Sequence, residues 1–211
     1  GGDAPGLCRG ARHLGAAGHP QHDRPVGLAL RDLEPPRARS VLPLEGDRVA
    51  DPSVHGGVSK SIYAYPTDHW EWWASEVGLD CFPGAFGENL TVSGATEHDI
   101  NIGDRFSWGE AILEVSQPRA PCYKFALHTG KPDAAARMTI SGKCGWYFRV
   151  IQQGAAPGSG ALERVAKGAG ANVHDTFMAA FDRRYAADTR KQIANEPTLA
   201  PEWRAMLVSR G

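Results

Sequence analysis

From Val41 onward, short apolar runs alternate with turns marked by glycine and proline. Most runs have the length and β-branched or aromatic content of strands. Ser61 to Tyr65, Leu90 to Ser93, Asp99 to Ile102, Arg105 to Trp108, Ala111 to Gln117 and Gly145 to Ile151 are the predicted strands. Gly103-Asp104 and Gly109-Glu110 separate neighbours, and the second pair suits a type II′ hairpin. On the return strand Ala111, Leu113 and Val115 share one face. Two runs follow the helical period instead. Trp70, Trp73, Ala74 and Val77 predict a helix over about His69 to Val77, ended by Gly78, with Asp68 and Glu71 at capping-box spacing. Its tryptophans are expected in the core and His69 in solvent. Asp133 to Met138 predicts a short helix that Gly142 breaks. Many short strands with Gly-rich turns and few helices define the expected fold class, a mostly-β barrel.

After Gln152 to Gly160, a linker by composition, the pattern predicts helices. Val173, Phe177 and Phe181 recur at i, i+4, i+8 behind a candidate cap, Asn172. Arg183 to Ala194 predicts a second helix, and the run from Leu199 a third, with Pro201 in its first turn and Trp203 and Leu207 on one face. This set fits a docking or dimerisation appendage, a homodimer included. Residues 1–40 show neither period, apart from a weak element near Val26 to Leu30. The opening on Gly1 rather than Met reads as a processed, truncated or misassigned start. Three parts result: a poorly patterned segment over 1–40, a barrel over 41–155 and a helical extension over 161–211.

The chain has 211 residues, 42% apolar and 22% charged, with a formal net charge of −1. That balance suits a globular protein and offers no global field for nucleic acid or an anionic membrane. No run approaches the ~20 apolar residues of a membrane span. The four cysteines, Cys8, Cys81, Cys122 and Cys144, form no C-x-x-C pair and no zinc spacing. A reducing, cytoplasmic setting is therefore expected.

Candidate chemistry centres on Gln117 to Phe125, QPRAPCYKF. Pro118 and Pro121 stiffen the backbone up to Cys122. A helix beginning at Tyr123 would place the thiol at its N-terminus, flanked by Arg119 and Lys124, and all three effects favour the thiolate. The competing reading is a buried structural cysteine. Cys144 is a second thiol without that rigid presentation. His55-Gly56-Gly57-Val58-Ser59-Lys60 offers a close backbone approach, with Lys60 placed to meet a phosphate; an ordinary tight turn explains it as well. Glu88 and Asn89 end a Gly-rich loop and would either clamp a ligand or satisfy loop amides. His13, His19 and His22 sit in loose sequence and read as solvated.

Four runs in order, Leu44 to Pro66, PGAFGENLTV from Pro83, Ile102 to Cys122 and GWYFRVI from Gly145, resemble the MOSC domain, and the C-terminal helices with LAPEWR resemble the three-helix extension of its YiiM-like subfamily. The resemblance covers about Leu44 to Arg210. It implies a β-barrel that binds molybdenum cofactor, with Cys122 as the protein ligand to the metal. Lys60, Arg119 and Lys124 would then meet the cofactor's phosphate, with Gly56, Gly57 and Asn89 beside it. It further implies reduction of N-hydroxylated bases or hydroxylamines, with electrons from a separate flavin-dependent reductase and with Glu88 or His55 as proton donor. No nucleic acid or membrane partner is implied.

Other functions use the same residues. A non-redox carrier would hold the cofactor or a persulfide on Cys122, and a thiol hydrolase would pair Cys122 with His55 or His128. A cofactor-free barrel that uses its helices for assembly is the remaining alternative.

Overall fold

The computed structural model describes residues 27–30 and 58–210. Seven strands close into a barrel: β1 (Gly27–Leu30), β2 (Ile62–Pro66), β3 (Leu90–Ser93), β4 (Arg105–Trp108), β5 (Ala111–Pro118), β6 (Trp146–Gln152) and β7 (Gly160–Ala166). Their order around the barrel is β1-β3-β2-β6-β5-β4-β7, with β7 returning to β1. All pairs are antiparallel except β2 with β3. A parallel pair needs a crossover, and α1 (Trp70–Val77) with the loop after it supplies one. The weak element near Val26 to Leu30 is thus β1, and it completes the barrel rather than leaving it open.

Four local expectations are corrected. Gly160–Ala166, expected to end the linker and open the helical part, is strand β7. They pair with β1 and β4 and lie within the barrel. Asp99 to Ile102 is a turn, with a single bridge from Asn101 to Asn172. No side chain caps α1: the Asp68 carboxylate accepts from Gly94 N at 3.2 Å instead, so the capping-box spacing serves a tertiary contact. His69, expected in solvent, is 5% exposed because a buried carboxylate, Glu97, lies 2.6 Å from its ring.

The β4–β5 hairpin forms as expected, with Gly109 at φ 61° in the turn. β5 is buried on both faces over most of its length, and not on one face only. Its outer face is covered by α4 (Val173–Phe181), the first of three C-terminal helices with α5 (Ala187–Ala194) and α6 (Pro201–Ser209). The Asn172 side chain caps α4 by accepting from Asp175 N at 2.7 Å. Phe177, Phe181 and Trp203 form the helical core, with ring centroids 4.7 to 6.2 Å apart. No described helix is long and apolar enough to cross a membrane.

Candidate functional site

β5 ends at Pro118, and Cys122, four residues on, is extended, with φ −137° and ψ 160°. Cys122 is the N-cap residue of α2 (Tyr123–Thr129), and α3 (Ala134–Ser141) follows. The proline-stiffened segment is held laterally by Arg119 N, which donates to Gly145 O at 3.3 Å. Gly145 has φ 68°, and a Cβ there would collide with Ala64 O; only glycine lets the 143–145 turn come this close to β2.

A pocket of about 210 Å³ opens beside Cys122. Arg119, Lys124 and His128 supply its nitrogen groups, and Tyr63, Phe86, Phe125 and Tyr147 its aromatic walls. The Arg119 guanidinium lies 5.3 Å from the Tyr63 ring centroid and 5.2 Å from that of Phe125. It also contacts Met138 Sδ at 3.5 Å and hydrogen-bonds Tyr147. No ion pair formed among the described residues involves it. Burial opposes the Arg119 charge, but the hydroxyls of Tyr63 and Tyr147 and the thiols of Cys122 and Cys144 hold its pKa above the usual guanidinium range. Burial pushes the phenols of Tyr63 and Tyr147 up, so both stay protonated at neutral pH. The pocket therefore combines a half-buried thiol, a fixed cation and a protonated phenol.

The expected site residues separate into groups. Cys122, Arg119 and Lys124 come together at the pocket. Lys60 instead points to α6, with Nζ 3.3 Å from Glu202 Oε1. Glu88 accepts from Gly84 N (2.7 Å), Phe86 N (3.0 Å) and Thr91 Oγ1 (2.8 Å), and so shapes the loop that brings Phe86 and Gly87 to the pocket. The Asn89 side chain accepts from Tyr63 N at 2.8 Å and reaches the pocket only through that strand. His55, Gly56 and Gly57 lie outside the described residues. Cys144 is fully buried, and burial pushes its thiol well above the ordinary range, so it is a core thiol. Tyr63 and Tyr147 carried no assigned role in sequence. Tyr147 sits between buried Trp146 and Phe148 on β6, and that alternation alone marks it as facing differently from its neighbours.

The structure is thus a closed barrel with a half-buried thiol at the start of a helix, beside a cation and aromatic walls. The chain belongs to the MOSC domain family, whose model matches residues 51–169. It is similar to Protein YiiM of Escherichia coli (strain K12), 34% identical over 191 residues, 89% of this chain and 85% of that protein. The crystal structure of YiiM from Geobacillus stearothermophilus superposes with a TM-score of 0.70 at 38% identity, over 74% of this chain and 80% of that one. A Gibberella moniliformis protein named Reductase is 36% identical over 138 residues, 64% of this chain but only 22% of its own length.

Proposed function

We propose that this protein binds molybdenum cofactor through Cys122 and reduces N-hydroxylated compounds, hydroxylaminopurine-type bases and hydroxylamines among them. One observation carries the reading. The half-buried Cys122 thiol and the Arg119 cation, which has no carboxylate partner among the described residues, share one aromatic pocket. This donor set fits the cofactor. A thiolate is a soft ligand suited to a soft metal site, and Arg119 and Lys124 suit its phosphate. No three His, Cys, Asp or Glu side chains among the described residues form a metal cluster. A single thiol ligand suits a metal that arrives with its own organic ligand.

The overall change is R–NHOH + 2e⁻ + 2H⁺ → R–NH₂ + H₂O. When bound, the cofactor supplies the two-electron chemistry. The chain supplies the rest. Cys122 holds the metal. Arg119, fixed between the Tyr63 and Phe125 rings, orients an anion or an oxygen-bearing substrate. The Tyr147 hydroxyl, kept protonated by burial, and the His128 imidazole stand at the pocket as proton donors. Glu88 has its carboxylate occupied by loop donors and serves to position Phe86.

Metal analysis tests the reading directly. Protein made in a host that synthesises molybdopterin is compared with Cys122→Ala, and both are assayed for hydroxylamine reduction with reduced methyl viologen. Near-stoichiometric molybdenum and turnover, both lost in the variant, are expected. A folded parent chain without molybdenum refutes the reading, and molybdenum without turnover favours a carrier.

A further inference from the structure

The C-terminal helices meet the segment that holds Arg119 at a stack of two imidazoles. His98 lies at the surface in the turn over 97–99, and His174 in the first turn of α4. Their ring centroids are 4.0 Å apart, with an interplanar angle of 28°. The His174 ring also rests against Gly142, the residue that ends α3. A Cβ at Gly142 would come within 2.7 Å of His174 Cδ2, so glycine is what admits the ring there. His174 N donates to Glu97 O at 3.1 Å. His98, His174 and Gly142 thus join the 97–99 turn, α4 and the 142–145 turn. The last of these accepts from Arg119 N through Gly145 O.

Two stacked imidazoles tolerate one proton between them far better than two, because the second sets like charges face to face. The groups around the stack do not remove this conflict. Asp175 Oδ1 lies 3.5 Å from His174 Nδ1 and can partner one proton. Asp99, on the His98 turn, is occupied by Thr96 N and Oγ1, at 2.9 and 3.0 Å. The Glu97 carboxylate is turned to His69 and Gly145 N. Two cations stand nearby: Arg164 of β7, with Nη1 3.4 Å from Asp99 O, and Lys143 of the 142–145 turn, with Nζ toward His69. Partial desolvation, and then the His174 charge, hold the His98 imidazole below its ordinary value of 6.5, against the pull of Glu97, Asp175 and Asp99. A depressed histidine gives stability that is full above the unfolded value and is lost as pH falls below it.

We propose that the His98–His174 stack is a pH-sensitive latch between the C-terminal helices and the 142–145 turn, closed while the pair holds at most one proton and released when it holds two. Release frees Gly142 from α4 and slackens the turn through which Gly145 anchors Arg119. The window opens below about pH 6.5, well above the range in which the Glu97 carboxylate takes up a proton. The consequence for turnover at the Arg119 pocket rests on the reductase reading; the latch itself does not.

Hydrogen exchange on the full chain tests the latch. Gly142, Cys144 and Gly145 donate their amides to Met138 O, Gly142 O and Glu97 Oε1, so a peptide over 139–146 reports on the turn. His98→Phe keeps a stacking ring and removes the titrating group. After correction for intrinsic rates, exchange in the parent should rise about tenfold between about pH 7.5 and about pH 5.5, and in His98→Phe by less than about twofold. Proton NMR should show the two imidazoles titrating in separate steps, the later one below about pH 6. Equal protection of the parent at both pH values, or the same rise in His98→Phe, overturns the proposal. So does independent titration of both rings near the ordinary value of about 6.5. Viologen-driven turnover of the molybdenum-loaded protein should fall more steeply with acid in the parent than in His98→Phe. Parallel falls overturn the link to Arg119. If the loaded parent shows no turnover at any pH, the reductase reading itself has failed, and the exchange result still decides the latch.

Discussion

Replacing Glu97 tests the framework behind the pocket. Glu97 is 1% exposed, and both carboxylate oxygens are engaged. Oε2 lies 2.6 Å from His69 Nε2, and Oε1 accepts from Gly145 N at 2.7 Å. On the far side of the imidazole, Lys143 Nζ is 3.4 Å from Nδ1. An ammonium can only donate, so Nδ1 accepts and Nε2–H is left to donate to Glu97. Burial alone would raise the Glu97 pKa, but the hydrogen bond from His69 and the Gly145 amide hold it below the ordinary value of 4.5. The carboxylate thus fixes the 143–145 turn, and Gly145 O in turn accepts from Arg119 N. The pocket's cation is set by a carboxylate that never enters the pocket.

Glu97→Ala removes one member of a buried pair and leaves two donors without acceptors. At about 1–3 kcal/mol for each unsatisfied buried donor, the expected loss is about 2–6 kcal/mol. Glu97→Gln keeps the shape and one acceptor, and about 1–3 kcal/mol is expected. Urea denaturation followed by tryptophan fluorescence measures both. A depressed carboxyl pKa gives stability that is fully present above the unfolded value and is lost as pH falls through the folded one. The gap between parent and Glu97→Gln should therefore be constant above about pH 5 and close as pH drops below about 4.5. A Glu97→Ala protein within about 0.5 kcal/mol of the parent, or a gap that persists unchanged into acid, refutes the account.

Three further outcomes follow from named contacts. Gly145→Ala should cost at least about 2 kcal/mol, because φ 68° disfavours an L side chain and its Cβ would strike Ala64 O; a midpoint equal to the parent's in urea would be inconsistent with this packing. Iodoacetamide at pH 8 should modify Cys122 ahead of Cys81 and Cys144, as read by peptide mass spectrometry. Cys81 is pushed up to about 11 by burial and then by Asp80 and Glu88, and Cys144 has no exposed surface; comparable labelling of Cys144 would contradict its burial. Arg190 is 6% exposed and donates to Ala179 O at 2.8 Å and Arg210 O at 2.7 Å, so Arg190→Met should destabilise by about 3 kcal/mol. Lysine should not rescue it, because one ammonium cannot reproduce the guanidinium fork.

How much of this was legible in the sequence depended on how local each cause is. The β4–β5 hairpin, the helix at Tyr123, the stop at Gly142 and the Asn172 cap all follow from neighbours within a few residues, and they stand where the pattern placed them. β7 was misread because its alternation is weak and a Gly-rich linker precedes it. Only pairing with β1 and β4, each distant in sequence, makes it a strand. β1 reads faintly for the same reason, since four residues carry too little period to stand out. His69 and Asp68 show the opposite failure. Their spacing fits a helix start, yet partners at Glu97 and Gly94 claim both side chains.

The site divides along the same line, and the division bears on its chemistry. Cys122 and its prolines are contiguous, so the thiol could be found without a fold. Arg119 was visible as a charge, but its setting was not. The rings that hold it come from β2 and α2, and the backbone bond that fixes it comes from a turn 26 residues later. Glu88 looked like an acid available for proton transfer because sequence shows a carboxylate and not the donors already bound to it. Tyr147 looked like one more aromatic in a strand, and barrel closure is what turns its phenol toward Arg119. Where a protonated group is needed beside a cation, a phenol meets the need better than a carboxylate, because its ordinary pKa of about 10 keeps the proton on at neutral pH, whereas a carboxyl beside a cation ionises. Tyr147→Phe therefore bears on the proposed proton delivery more directly than any change at Glu88. It removes the hydroxyl and leaves the ring against Tyr63, at a centroid distance of 5.1 Å. Viologen-driven turnover should fall about 10²-fold with molybdenum content unchanged; full activity in that variant would assign the proton to His128.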